Sequence, residues 1–140
     1  MCVLKTWLNA WTTSARMHDG HFDQCIFGCD HLVPDCLSHY IRCSKLWTFV
    51  DIASSSISSP SSPAQQTNMP SPAERLCLSD PSHRSFLLLV VAFTTYHALR
   101  ADLLSRPRLP CQEDLEMRAQ ELARAAWRKF SDSSTVYSGS

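Results

Sequence analysis

Cys25 and Cys29 stand four residues apart, and after a nine-residue spacer His39 and Cys43 stand four apart again. A chain that brings these four together must fold back on itself between the two pairs, which limits the geometry more than any other feature of the sequence. Three thiols and one imidazole form a donor set for a tetrahedral zinc site, and the spacing lies within the range such sites use, although two intervening residues are commoner than three in the first pair. All four donors are protein atoms, so no position is left for a catalytic water. The implied role is structural, an ion that folds the peptide around it. The plainer reading is a half-buried helix with ordinary core thiols, since free Cys packs as a small hydrophobe.

The ligand set has alternatives. Cys36 and His31 lie in the same loop and could replace His39 or Cys29, and His18 and His21 are near in sequence. Gly28, just before the second thiol, suits a turn with positive φ that aims backbone amides at the sulfurs. Pro34-Asp35 reads as a helix start. From there Cys36, Tyr40, Cys43, Trp47 and Val50 recur at four and three, with Leu37 and Ile41 widening the stripe. On one continuous helix His39 and Cys43 would share a side.

The rest of the chain divides by composition. Leu4, Trp7, Leu8, Trp11 and Ala15 step by three and four and predict a helix from Val3 to Arg16, followed by a polar, His-rich loop from Met17 to Gln24. Ala53 to Pro72 is crowded with Ser-Ser and Ser-Pro pairs and buries too little to offset the entropy of ordering, so residues 53–80 read as a disordered linker. Pro81-Ser82 opens a helix from His83 to Ser105, which Pro107 and Pro110 stop. A last helix, Gln112 to Phe130, is acidic at its start and basic at its end, as the helix dipole favours. Its apolar stripe is Leu115, Ala119, Leu122, Ala126 and Phe130, and residues 131–140 read as a polar, disordered tail. The expected organisation is mainly α: an N-terminal helix with a Cys-Cys-His-Cys zinc knuckle over 1–52, the linker, and a C-terminal helical pair over 81–130.

Thirteen acidic and thirteen basic residues leave no net charge to draw the chain to nucleic acid or to an anionic membrane. The run Phe86–Phe93 is apolar but short, a bilayer span needing roughly 20 apolar residues, so a buried helix is expected. Seven cysteines are an odd number, no secretory signal is recognisable at the start, and no N-x-S/T acceptor occurs. A reducing, intracellular compartment is expected, where clustered Cys means metal or free thiol rather than disulfide.

The strings Leu4-Lys-Thr-Trp7-Leu-Asn-Ala-Trp-Thr-Thr-Ser14-Ala-Arg16-Met-His18, Cys25-Ile-Phe-Gly-Cys29 and Leu37-Ser-His39-Tyr40-Ile-Arg-Cys43-Ser-Lys-Leu46-Trp47 resemble the region downstream of the polymerase in LINE-type (non-LTR) retrotransposon reverse transcriptases. That region carries a Cys-Cys-His-Cys knuckle ending in His-Tyr-x-x-Cys, thought to help hold template RNA or target DNA. The resemblance covers roughly Leu4 to Trp47, with a weaker echo in Ala92-Phe-Thr-Thr-Tyr96-His97-Ala-Leu-Arg100, similar to the helix after the knuckle. It implies Cys25, Cys29, His39 and Cys43 as ligands, with Tyr40 and Trp47 as packing residues beside them. The chain departs from the elements' enzymes. No adjacent Asp-Asp pair exists for polymerase metals, and the residues two before Lys5, Lys45 and Lys129 are Val3, Cys43 and Trp127, so the acid-x-Lys signature of the related nucleases is missing.

Arg16, Arg42 and Lys45 offer phosphate contacts near the knuckle, and Trp47 or Tyr40 offers a stacking face, while Asp19, Asp23, Asp30 and Asp35 oppose an anionic partner. Cys25 with His18 or His21 could be drawn as a nucleophile pair, but no oxyanion-forming turn accompanies them. Glu113, Asp114 and Glu116 are dipole partners, and His97 is a core histidine on an apolar helix. The expected function is a non-catalytic, zinc-binding, retrotransposon-derived fragment with weak RNA or DNA contact, no membrane and no small-molecule substrate. The rivals are a metal-free helical interaction module and a remnant open reading frame without function.

Overall fold

The computed structural model describes residues 2–8, 10–29, 32–55, 71–79 and 81–134. Among them every element is helical: α1 (Cys2–Trp7), α2 (Ser14–Met17), α3 (Leu37–Tyr40), α4 (Ser44–Ser55), α5 (Pro72–Arg75), α6 (His83–Leu104) and α7 (Gln112–Ser134). The mainly α class holds. The central helix α6 contacts α1, α4, α5 and α7, and α4 also packs on α7.

Helix α6 begins where Ser82 accepts a hydrogen bond from the Ser85 amide at 3.1 Å. By length and composition it could cross a membrane. In this fold Leu89, Val91, Ala92, Tyr96 and Leu99 are buried along it, in one cluster with Leu46 and Val50 of α4 and Ala119, Ala123 and Trp127 of α7. The alanines of α7 recur at four and three and let its backbone approach closely. Residues 1–52 and 81–130, separate units by sequence, therefore share one buried cluster.

Three sequence expectations need correction. The helix expected from Val3 to Arg16 is interrupted. Thr13 caps α2, its side chain accepting from the Arg16 amide at 3.3 Å, and Trp11 turns into the core, donating from Nε1 to the buried Thr6 hydroxyl at 2.9 Å. Leu4, Trp7 and Leu8, expected on the buried stripe, are at least half exposed. Local capping and one large aromatic override the periodicity.

The linker is shorter than 53–80. Helix α4 continues through Ser55 with Ala53 buried. At the far end Ser71-Pro-Ala-Glu74 forms a capping box that opens α5. Buried Arg75 then donates to the Ile41 carbonyl at 2.7 Å and lies over the Trp47 ring at 4.9 Å, fastening this segment to the knuckle side. The disordered reading of residues 56–70 lies outside the described residues.

The tail is also shorter, because α7 runs to Ser134. The remainder, 135–140, lies outside the described residues.

Candidate metal centre

The turn at Cys25–Cys29 is closed by the Gly28 amide donating to the Cys25 carbonyl at 2.9 Å, with Gly28 at φ +66° as expected. The Cys25 amide donates to the Val33 carbonyl at 3.0 Å, so the chain returns beside the turn before entering α3. His39 lies within the four-residue α3. Cys43 lies beyond it and caps α4, its sulfur accepting from the Leu46 amide at 3.5 Å. The continuous helix expected to carry His39 and Cys43 is therefore broken: α3 stops at Tyr40 and α4 starts at Ser44. Cys43 is buried at this corner, where it meets His39 in the cluster.

One donor atom from each of Cys25, Cys29, His39 and Cys43 lies within 4.8 Å of all the others. Cys29 Sγ is 3.2 Å from Cys25 Sγ, 3.5 Å from Cys43 Sγ and 3.0 Å from His39 Nε2, and Cys25 Sγ is 3.9 Å from Cys43 Sγ. Metal–ligand bonds of about 2.3 Å to sulfur and about 2.0 Å to nitrogen give tetrahedral edges of about 3.7 Å between sulfurs and about 3.5 Å from sulfur to nitrogen. The observed edges bracket or fall just inside these values, so the cluster can hold a metal ion.

Electrostatics suit a cation. The hydrogen bond from Cys43 pulls the Cys25 thiol down to about 5 against the opposing effect of burial, helped by Cys29 and by the Phe27 and Cys29 amides. Burial pushes Cys29 up to about 11, and Cys43 is pushed up by its hydrogen bond to Cys25 and by burial. Three buried or half-buried sulfurs held this close would share a cation's charge.

The other candidate ligands stand elsewhere. Cys36 caps α3 without a side-chain cap bond, and its sulfur lies 3.1 Å from the Ser38 hydroxyl. His18 and His21 are exposed, and His18 ends α2 in the left-handed region. His31 is outside the described residues.

The candidate nucleic-acid residues divide. Arg16 and Arg42 are exposed. Lys45 is engaged, its ammonium 2.6 Å from Glu116 of α7. Trp47 is 4% exposed and donates from Nε1 to the Tyr40 carbonyl at 2.9 Å. Tyr40 is fully buried, so neither ring can stack on a base; the Tyr40 ring lies 5.3 Å from that of His39.

A second constellation escaped the sequence reading. The Asp35 carboxylate, 1% exposed, accepts from the Tyr40 and Tyr96 hydroxyls on one oxygen. On the other it accepts from the Ser14 amide at 2.6 Å and from Arg100 Nη1 at 3.0 Å. Arg100 also pairs with Asp19 at 2.7 Å. The Tyr40 hydroxyl accepts from the Ile26 amide inside the knuckle turn at 3.2 Å, which ties the cluster to α6. Burial and the neighbouring carboxylate push both tyrosines upward, so they stay protonated donors. Pro34-Asp35, expected to start a helix, lies before the Cys36 cap of α3, and Asp35, expected to oppose an anionic partner, is buried; nothing local pairs it with an arginine 65 residues away.

Among known proteins, no family model, no curated protein and no solved structure matches the chain.

Proposed function

We propose that the chain is a non-catalytic, zinc-binding module derived from the post-polymerase region of a LINE-type retrotransposon, making weak contacts with RNA or DNA. The observation that carries the zinc reading is the convergence of Cys25, Cys29, His39 and Cys43 from three segments onto one small volume. Soft thiolates with one imidazole at near-tetrahedral edges suit zinc better than the hard, oxygen-seeking cations. Four protein donors fill the shell, so the ion would fold the corner between α3 and α4 rather than activate a substrate.

What supports the origin is the sequence resemblance over Leu4–Trp47. What supports nucleic-acid contact is the pair of exposed arginines, Arg16 before the knuckle and Arg42 within it. Two phosphate contacts in a neutral chain give weak, salt-sensitive binding.

Cobalt substitution tests the zinc reading. Tetrahedral cobalt bound to three thiolates gives intense ligand-field absorption, displaced stoichiometrically by zinc. A weak octahedral spectrum, or none, would favour the metal-free helical module.

A further inference from the structure

Resting on the zinc reading above, we propose that Cys29 and Cys25 are a peroxide-sensitive thiolate pair whose oxidation to a disulfide expels the metal.

The three sulfurs are not equivalent. Cys25 and Cys43 are 5% and 1% exposed, whereas Cys29 is only half-buried, at the open side of the cluster. A small oxidant in solvent therefore meets Cys29 first, and access governs which thiolate is oxidised. The sulfur nearest to Cys29 is Cys25 at 3.2 Å, within the same turn, while Cys43 is farther at 3.5 Å and anchored at the head of α4 by the Leu46 amide.

The chemistry balances with hydrogen peroxide as the oxidant. The Cys29 thiolate attacks one peroxide oxygen, the O–O bond breaks, and hydroxide leaves, giving a sulfenic acid. The Cys25 thiolate then attacks the Cys29 sulfur, forming the S–S bond and breaking the S–O bond, and a second hydroxide leaves. Two electrons pass from the sulfurs to the peroxide, two protons convert the hydroxides to water, and both sulfur–zinc bonds are lost. His39 and Cys43 alone make a poor zinc site, so the ion dissociates. The Asp35–Arg100 pair and the α6–α7 packing contain none of the four residues.

The test uses the full chain carrying Cys2→Ser, Cys36→Ser and Cys111→Ser, which removes the exposed and half-buried thiols outside the cluster. Zinc content is measured first. Hydrogen peroxide is then added, release is followed with a chromogenic chelator, and the disulfide is mapped by peptide mass spectrometry. The expected result is release of nearly all the zinc, with a Cys25–Cys29 disulfide appearing at the same rate, and recovery on adding a thiol reductant with zinc. Retention of zinc at peroxide levels that oxidise a free thiol overturns the proposal. So does release with a first disulfide to Cys43 or with sulfinic acid at Cys29. Absence of zinc before any oxidant overturns the metal reading itself, and the proposal with it.

Discussion

Arg100 of α6 donates to the Asp35 carboxylate at 3.0 Å, and both side chains are buried, at 4% and 1% exposure. The pair joins the helix that organises the core to the loop that delivers His39. Breaking one partner of such a pair leaves a desolvated charge uncompensated.

Arg100→Met is therefore expected to destabilise the fold by about 3–5 kcal/mol, read as a lower urea midpoint. Asp35→Asn keeps one acceptor oxygen for the Tyr40 and Tyr96 hydroxyls but sets an amide NH2 against the Ser14 N–H and the Arg100 guanidinium, and should cost a comparable amount. An Arg100→Met protein as stable as the parent would show that the pair contributes nothing to the link between knuckle and core.

His97 gives the fold a pH dependence with a definite sign. Burial first, then the Lys5 and Arg100 charges, lowers the imidazole to about 4. The unfolded chain, near 6.5, binds the extra proton first. Stability from this group is thus complete above about pH 6.5, falls as pH drops toward 4, and levels below that. In His97→Gln the stability–pH curve should lose this portion of its slope between pH 6.5 and 4. Superimposable curves for parent and variant would contradict it.

Trp47 and the two exposed arginines should separate cleanly. Trp47→Ala removes a buried ring and is expected to cost about 3–5 kcal/mol of stability. Arg16→Ala with Arg42→Ala should leave stability unchanged, weaken single-stranded RNA binding, and reduce the slope of log affinity against log salt by about 1.4. RNA binding unchanged in the double variant would move the contact surface elsewhere.

Gly28→Ala should destabilise the knuckle turn. An L-residue pays about 1–2 kcal/mol for the left-handed conformation, and the new methyl would also press on the Gln112 side chain of α7. The change should appear as weaker zinc retention against a chelator. Equal retention would mean that the turn relaxes without moving the sulfurs.

The convergence of Cys25, Cys29, His39 and Cys43 was legible because their paired spacing survives whatever the backbone does between the pairs. The corner between α3 and α4 was not, since Cys36, Tyr40, Cys43 and Trp47 keep a helical period even though the helix stops at Tyr40. Helix α6 was readable nearly to the residue from Ser82 and the proline stop, and the start of α7 from its acidic first turn, but α7 continues past Phe130 to Ser134, so Arg128 and Lys129 do not stand in its last turn. The capping box at Ser71–Glu74 was present in the sequence as Ser-x-x-Glu with proline at the first helical position, but lay hidden among Ser-Pro pairs. The Asp35–Arg100 pair left no local mark, because its partners meet only once the fold exists.

The proposed zinc site at Cys25, Cys29, His39 and Cys43 is open to elemental analysis of protein purified under reducing conditions, beside the Cys25→Ser, Cys43→Ser double variant. One zinc per chain is expected in the parent, little in the double variant, and full retention in Cys36→Ser, whose sulfur lies by the Ser38 hydroxyl outside the cluster. A folded parent without zinc, or a double variant that keeps it, would refute the site.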